Sequence, residues 1–200
     1  MKPLKNIFQP ILVALLAVFL SSCSLLQTES NANLKLPTDI NKLKSWTVRG
    51  KVLIKTDTEN VSGYFYWHKD LETNQFSLNA FIGINILSLT TENGISTLEF
   101  GGSVYQDTNP TRLIQTVTGL DLPIESLEFW VRGQLTGTEK HIVRNSTNIK
   151  QFIQINKQQK WQVKYSKYQK QNIYHLPMAI SLTGKNTKLK LSVSSWEFLL

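Results

Sequence analysis

The 200-residue chain contains one cysteine, Cys23, so an internal disulfide is excluded. Its three histidines, His68, His141 and His175, lie far apart, and none shows the His-Glu-x-x-His or paired spacing of a metal site. Each therefore reads as an ordinary strand or loop residue. A Gly-x-Ser-x-Gly elbow is missing. Gly101-Gly102-Ser103-Val104-Tyr105 comes nearest but lacks the last glycine, and it reads as a strand bulge. Thr183-Gly184-Lys185-Asn186 lacks both the upstream glycine and the hydroxyl residue after the lysine of a phosphate-binding loop, and it reads as a hairpin turn. These gaps point away from nucleotide, metal or covalent chemistry, so neither an enzyme nor a cofactor is expected.

Acidic residues are also scarce, with 14 Asp and Glu against 22 Lys and Arg, a net charge of +8. Long apolar runs are scarcer still. Ile11 to Leu20 follows Lys2 and Lys5, which is the positive-then-apolar layout of a secretory signal, and it is too short to span a bilayer comfortably. It ends in Leu20-Ser21-Ser22-Cys23, which resembles the lipobox, where small residues let the modifying enzymes reach the thiol before cleavage. Residues 1–22 are expected to be removed and Cys23 acylated. Ser24, at the second mature position, points to the outer membrane under the enterobacterial sorting rule. An exported protein is an improbable nucleic-acid ligand, so the basic excess reads as solvated lysines or as attraction to an acidic protein or anionic lipid.

Residues 23–36 read as a lipidated N-terminus and tether, and 37–200 as one domain with room for a sizeable core. Pro37 to Lys44 predicts a short helix with Ile40 and Leu43 on one face. Trp46, Val48, Gly50, Val52 and Ile54 alternate with polar neighbours, as a half-buried strand requires. Val61–His68, Phe76–Leu89 and Ile95–Tyr105 continue as strands, with a turn at Glu92-Asn93-Gly94. Short spacings exclude crossover helices, so the sheet is antiparallel.

Two helices interrupt it. Asn109-Pro110 caps the first, which carries Leu113, Ile114 and Val117 and stops near Gly119. The second starts at Pro123, puts Ile124, Leu127, Trp130 and Val131 on one side, and stops at Gly133. Strands resume around Ile149–Ile155, Trp161–Tyr165, Ile173–Leu182 and Leu189–Trp196. Such a sheet curls, and the helices cover its open side.

Two features invite a functional reading. Five tryptophans are spread over strands and helix, and they either fill an ordinary core or line a hollow for an acyl chain. The stretch around Phe81-Ile82-Gly83 is either one buried strand with a two-residue period or an exposed apolar loop.

The residues resemble the LolB family of outer-membrane lipoprotein receptors over Trp46 to Trp196. The resemblance rests on Arg49-Gly50, Phe65 and Trp67, Ile82-Gly83, Leu87-Ser88-Leu89, and Thr118-Gly119. It continues through Pro123, Leu127, Trp130 and Gly133, then Trp161 to Tyr165, Pro177, and Leu189 to Leu191 before Trp196. It implies a mainly β fold with a helical lid, an incomplete antiparallel barrel of the LolA/LolB kind enclosing an apolar cavity. It also implies a monomer that takes the acyl chains of lipoproteins from the periplasmic carrier LolA and inserts them into outer-membrane lipid.

On that resemblance the expected lining from the strands is Trp46, Phe65, Trp67, Phe76, Leu78, Leu98 and Phe100. The helices add Leu113, Val117, Leu127 and Trp130, and the last strands add Trp161, Val163, Leu191 and Trp196. The membrane-delivery loop falls on Phe81, Ile82 and Gly83, with Phe81 standing where the family has proline and Ile82 as the protruding aliphatic residue. Two other classes remain open: a structural lipoprotein with a filled interior, and a hydrolase using Ser103 or His175.

Overall fold

The structure is a computed structural model that describes residues 35–156 and 159–199. The expected signal segment, Cys23 and nearly all of the tether lie outside the described residues. The folded unit spans Leu36–Leu200.

Its first half is a meander: β1 (Ser45–Lys55), β2 (Asn60–Lys69), β3 (Thr73–Asn79), β4 (Asn85–Glu92), β5 (Ile95–Phe100) and β6 (Ser103–Asp107). Two helices follow, α1 (Pro110–Thr118) and α2 (Ile124–Val131). The chain then returns through β7 (Glu139–Asn145), β8 (Asn148–Asn156), β9 (Gln159–Gln171), β10 (Tyr174–Thr183) and β11 (Lys188–Leu199). All ladders are antiparallel, and the order is β6-β5-β4-β3-β2-β1-β11-β10-β9-β8-β7. The sheet therefore grows outward from β1 to one edge, crosses to the other edge through the helices, and grows back until β11 joins β1. It is an open sheet whose two edges are linked by the helical segment.

Alternation fixes which face is buried. On β1, Trp46, Val48, Val52 and Ile54 point inward, and Lys51 and Lys55 outward. The inward residues, both helices and the β8–β11 half share one core. Trp46 sits 5.8 Å from both Trp67 and Trp196 by ring centroids, and Trp130 of α2 meets Phe152 edge-on at 5.3 Å. Tilted and edge-on pairs at this spacing suit the ring quadrupoles.

Gly50 is required where it stands. A Cβ there would lie 2.2 Å from the Ser192 carbonyl oxygen and 2.7 Å from the Phe65 ring, at the point where the β1–β11 register shifts. The missing side chain lets the central ladder bulge and tilts the sheet around its core.

Several sequence expectations need correction. The Pro37–Lys44 helix is only a 3-10 turn, Ile40–Lys42, capped by Asp39 accepting from the Asn41 amide at 2.9 Å. The turn still buries Ile40 and Leu43 as expected. Phe76–Leu89 is not one strand, because the chain turns at residues 80–84 between β3 and β4. Gly101-Gly102 is not a bulge but the turn between β5 and β6. β7 has no counterpart among the expected strands; six of its seven residues are exposed, so no alternation marks it.

The helices stand where their caps indicate. Asn109 accepts from the Arg112 amide at 2.6 Å, and Gly119 closes α1 in the left-handed region. Among the described residues no helix is long and apolar enough to cross a membrane.

Candidate acyl-chain site and membrane turn

The expected lining residues converge on one core. Trp46, Phe65, Trp67, Phe76, Leu78, Leu98, Leu113, Leu127, Trp130, Trp161, Val163, Leu191 and Trp196 are all buried there, and Phe100 and Val117 pack against its rim. They fill the interior between sheet and helices. At the edge of that core lies a cleft of about 240 Å³ bounded by Phe76 and Leu89 on the strands and by Pro110, Ile124 and Phe129 on the helical side. Lys69, Asn74, Thr91, Glu125 and Glu128 form the polar part of its lining. Of the expected lining, only Phe76 borders this cleft. Its volume lies below the roughly 300–1,000 Å³ of typical ligand pockets.

A charged cluster fastens α2 over this cleft. Glu128 is only 8% exposed, and its carboxylate accepts from Lys69 Nζ at 2.5 Å and from Asn74 Nδ2 at 2.9 Å. Arg132, one turn further on and 5% exposed, lies 3.6 Å from the same carboxylate. It donates to the Glu128 and Ile40 carbonyls at 3.2 and 3.4 Å. Its guanidinium also faces the rings of Trp46 and Phe129 at 5.6 and 5.4 Å. Burial pulls the Arg132 pKa down, while the Glu128 charge pulls it up, and burial prevails. Sequence periodicity could not reveal these two groups, because Glu128 sits on a helix whose other buried positions are apolar and Arg132 is the residue that closes it.

The far side of α2 is pinned as well. Trp130 Nε1 donates to Glu139 Oε1 at 2.9 Å, and Tyr165 Oη donates to the Trp130 carbonyl at 2.9 Å. Glu139 also accepts from the Thr136 amide and hydroxyl and from the Gly137 amide. Burial raises its pKa, but these donors together outweigh burial and hold it below the usual value. α1 is tied to α2 through Thr111 Oγ1, which donates to Glu125 Oε2 at 2.8 Å.

The turn between β3 and β4 is apolar and open. Phe81, Ile82 and Ile84 are 54, 81 and 62% exposed, and the Gly83 amide donates to the Ala80 carbonyl at 2.9 Å. Gly83 carries φ +86, a conformation that a side chain would strain. Phe81 packs edge-on against Tyr64 at 5.1 Å. Asn74 at the cleft and Asn79 beside the turn occupy opposite ends of β3, roughly 17 Å apart along an extended strand.

The groups that a hydrolase would need are not brought together. Ser103 lies at the β5–β6 turn, His175 Nδ1 contacts Asn148 Oδ1 at 3.0 Å on β10, and six strands separate β6 from β10 in the sheet. Among the described residues no cluster of three metal-ligating side chains occurs.

The profile of a family described as outer membrane lipoprotein LolB matches residues 44–196, most of the body just described. The chain belongs to the LolB family. Relatives named outer-membrane lipoprotein LolB include one from Shewanella sediminis, 29% identical over 95% of this chain and 87% of the relative. Another, from Pseudoalteromonas translucida, is 28% identical over 95% of each chain. The crystal structure of a DUF1329 family protein from Desulfovibrio piger shares the fold, with a TM-score of 0.50 and 7% identity over 79% of this chain and 87% of that one. Membership in the LolB family makes this chain an outer-membrane lipoprotein and agrees with the open antiparallel sheet covered by helices.

Proposed function

We propose that the chain, held at the outer membrane through acylated Cys23, acts as a monomeric receptor. It takes acyl chains of lipoproteins from the LolA-type carrier into the space under α1 and α2, and passes them to outer-membrane lipid at the β3–β4 turn. No catalytic step is needed. The observation that carries the reading is an apolar interior bordered by a cleft, beneath helices held by a few polar ties, in a chain of the LolB family.

Shelter is the physical requirement. Each buried methylene contributes about 0.8 kcal/mol, so a chain of roughly sixteen carbons set free in water would lose on the order of 12 kcal/mol. Cargo must therefore move from one apolar shelter to the next without entering water. The cleft is too small for such a chain, so the helices swing away from the β3–β4 side as cargo enters, breaking the Lys69–Glu128–Asn74 contacts first.

The test is transfer from a loaded carrier to the purified chain, with a fluorescent fatty acid as direct probe. Cargo should move to the chain, and the probe should bind and be displaced by cargo. A chain that takes up neither has a permanently filled interior and serves a structural role.

A further inference from the structure

The outer face of the sheet carries a groove for which acyl-chain shelter has no use. On this face Lys51 of β1 stands between Tyr64 of β2 and Ser192 of β11, and Leu53 lies beside Lys190. Lys190 faces Ser181 of β10, which in turn faces Lys164 of β9. Between them runs a shallow, mainly apolar groove of about 490 Å³, whose lining includes Leu53, Phe81, Ala179 and Ile180 together with Lys51, Lys190 and several serines. Phe81 rests on Tyr64, and Lys51 Nζ lies 5.9 Å from the same ring. The apolar turn and the cations thus belong to one surface.

That surface is unbalanced in charge. Residues 159–199 contain seven lysines and a single acid, Glu197, which is engaged by Arg49. The acids of the β1–β2 turn, Asp57 and Glu59, border a separate depression together with Lys185.

We propose that this groove docks the phosphate headgroups of an anionic phospholipid bilayer. Lys51 and Lys190 at the groove supply the charge, and Phe81, Ile82 and Ile84 enter the acyl boundary beside them. An acidic protein would satisfy the lysines but not three adjacent exposed apolar side chains, whereas a bilayer surface satisfies both. Because the cleft lies at the other end of β3, a protein docked this way keeps it turned away from lipid, toward an arriving carrier. The inference rests on the receptor reading for the β3–β4 turn and adds to it the cationic groove on the outer face.

The experiment uses the mature chain with the anchor removed by Cys23→Ala, floated with vesicles of phosphatidylcholine alone or with about a quarter phosphatidylglycerol. It should float with the anionic vesicles, and added salt should weaken the association. Lys51→Gln combined with Lys190→Gln should lower partition about twenty-five-fold, at roughly fivefold per lysine, with an unchanged melting profile because both side chains are exposed. Equal partition into pure phosphatidylcholine, unchanged partition of the double variant, or complete displacement by inorganic phosphate at constant ionic strength would each overturn the proposal. So would a double variant that floats normally but no longer receives cargo, since the groove would then dock the carrier. Fatty-acid binding is read on the same samples. Its failure with intact vesicle docking would sink the receptor reading and leave the docking site standing.

Discussion

The substitution Glu128→Gln should weaken the fold and strengthen acyl binding at the same time. The carboxylate takes hydrogen bonds from Lys69 and Asn74 and faces the buried Arg132 guanidinium. An amide in its place would keep one acceptor oxygen but lose the charge, and a hydrogen bond to a charged partner contributes about 1.5–3 kcal/mol. Taking about 2 kcal/mol for the loss, the ratio of lifted to closed α2 should rise about thirty-fold. When binding requires the minor lifted form, apparent affinity rises in the same proportion until that form dominates. Thermal unfolding should fall by roughly 4–8 °C for a body of this size. Fluorescent fatty-acid titration alongside a melt reads both quantities. A variant that melts earlier yet binds the probe no better would refute the idea that cargo enters by displacing this helix.

Other substitutions separate shelter from delivery. Ile82→Glu, at an 81% exposed position, should leave the melt and probe binding unchanged but abolish release of cargo into liposomes; normal release would remove the turn from the mechanism. Gly50→Ala should cost about 3 kcal/mol, roughly 6–12 °C, because its Cβ meets the β11 backbone, and an unaltered melt would mean the central ladder yields easily. The amides of Thr73 and then Glu72 hold the Asp70 carboxyl down at about 2, aided by His68 against the effect of desolvation. A depressed carboxyl stabilises the fold above its unfolded value near 3.8 and loses that contribution as pH falls through 2, so the β2–β3 turn should loosen only over that range. NMR titration of the Thr73 amide would follow it, and a midpoint near 3.8 would contradict the geometry.

The fold is legible in the sequence where local chemistry and burial agree. β1 alternates because its two faces meet different media, and α1 announces itself through Asn109, Pro110 and Gly119. Strand ends escape such a reading where turns lack polar residues: Ala80-Phe81-Ile82-Gly83 continues an apolar pattern straight through a reversal. The resemblance to the family, and not periodicity, favours a loop there. Among the candidate site residues the apolar ones are legible, since greasy side chains on an inward register must meet. The cleft is not, because Lys69, Asn74 and Glu128 come from β2, β3 and α2 and converge only after folding. Arg132 is equally hidden, as a charge at the end of an apolar helix reads as a solvent-facing residue until its neighbours cover it.

Pairing of β1 with β11 joins Ser45 to Leu199, so the middle of the sheet is made by the residues furthest apart along the chain. Folding must close its longest loop to complete its innermost ladder, which is the topology of a slow folder with high contact order. A nascent chain can assemble the β1–β6 meander but has no partner for the other side of β1. Completion of the sheet is thereby postponed until nearly the whole polypeptide has been made. The same topology leaves an unfinished β1 edge exposed during that interval, an obvious place for a holding chaperone to bind.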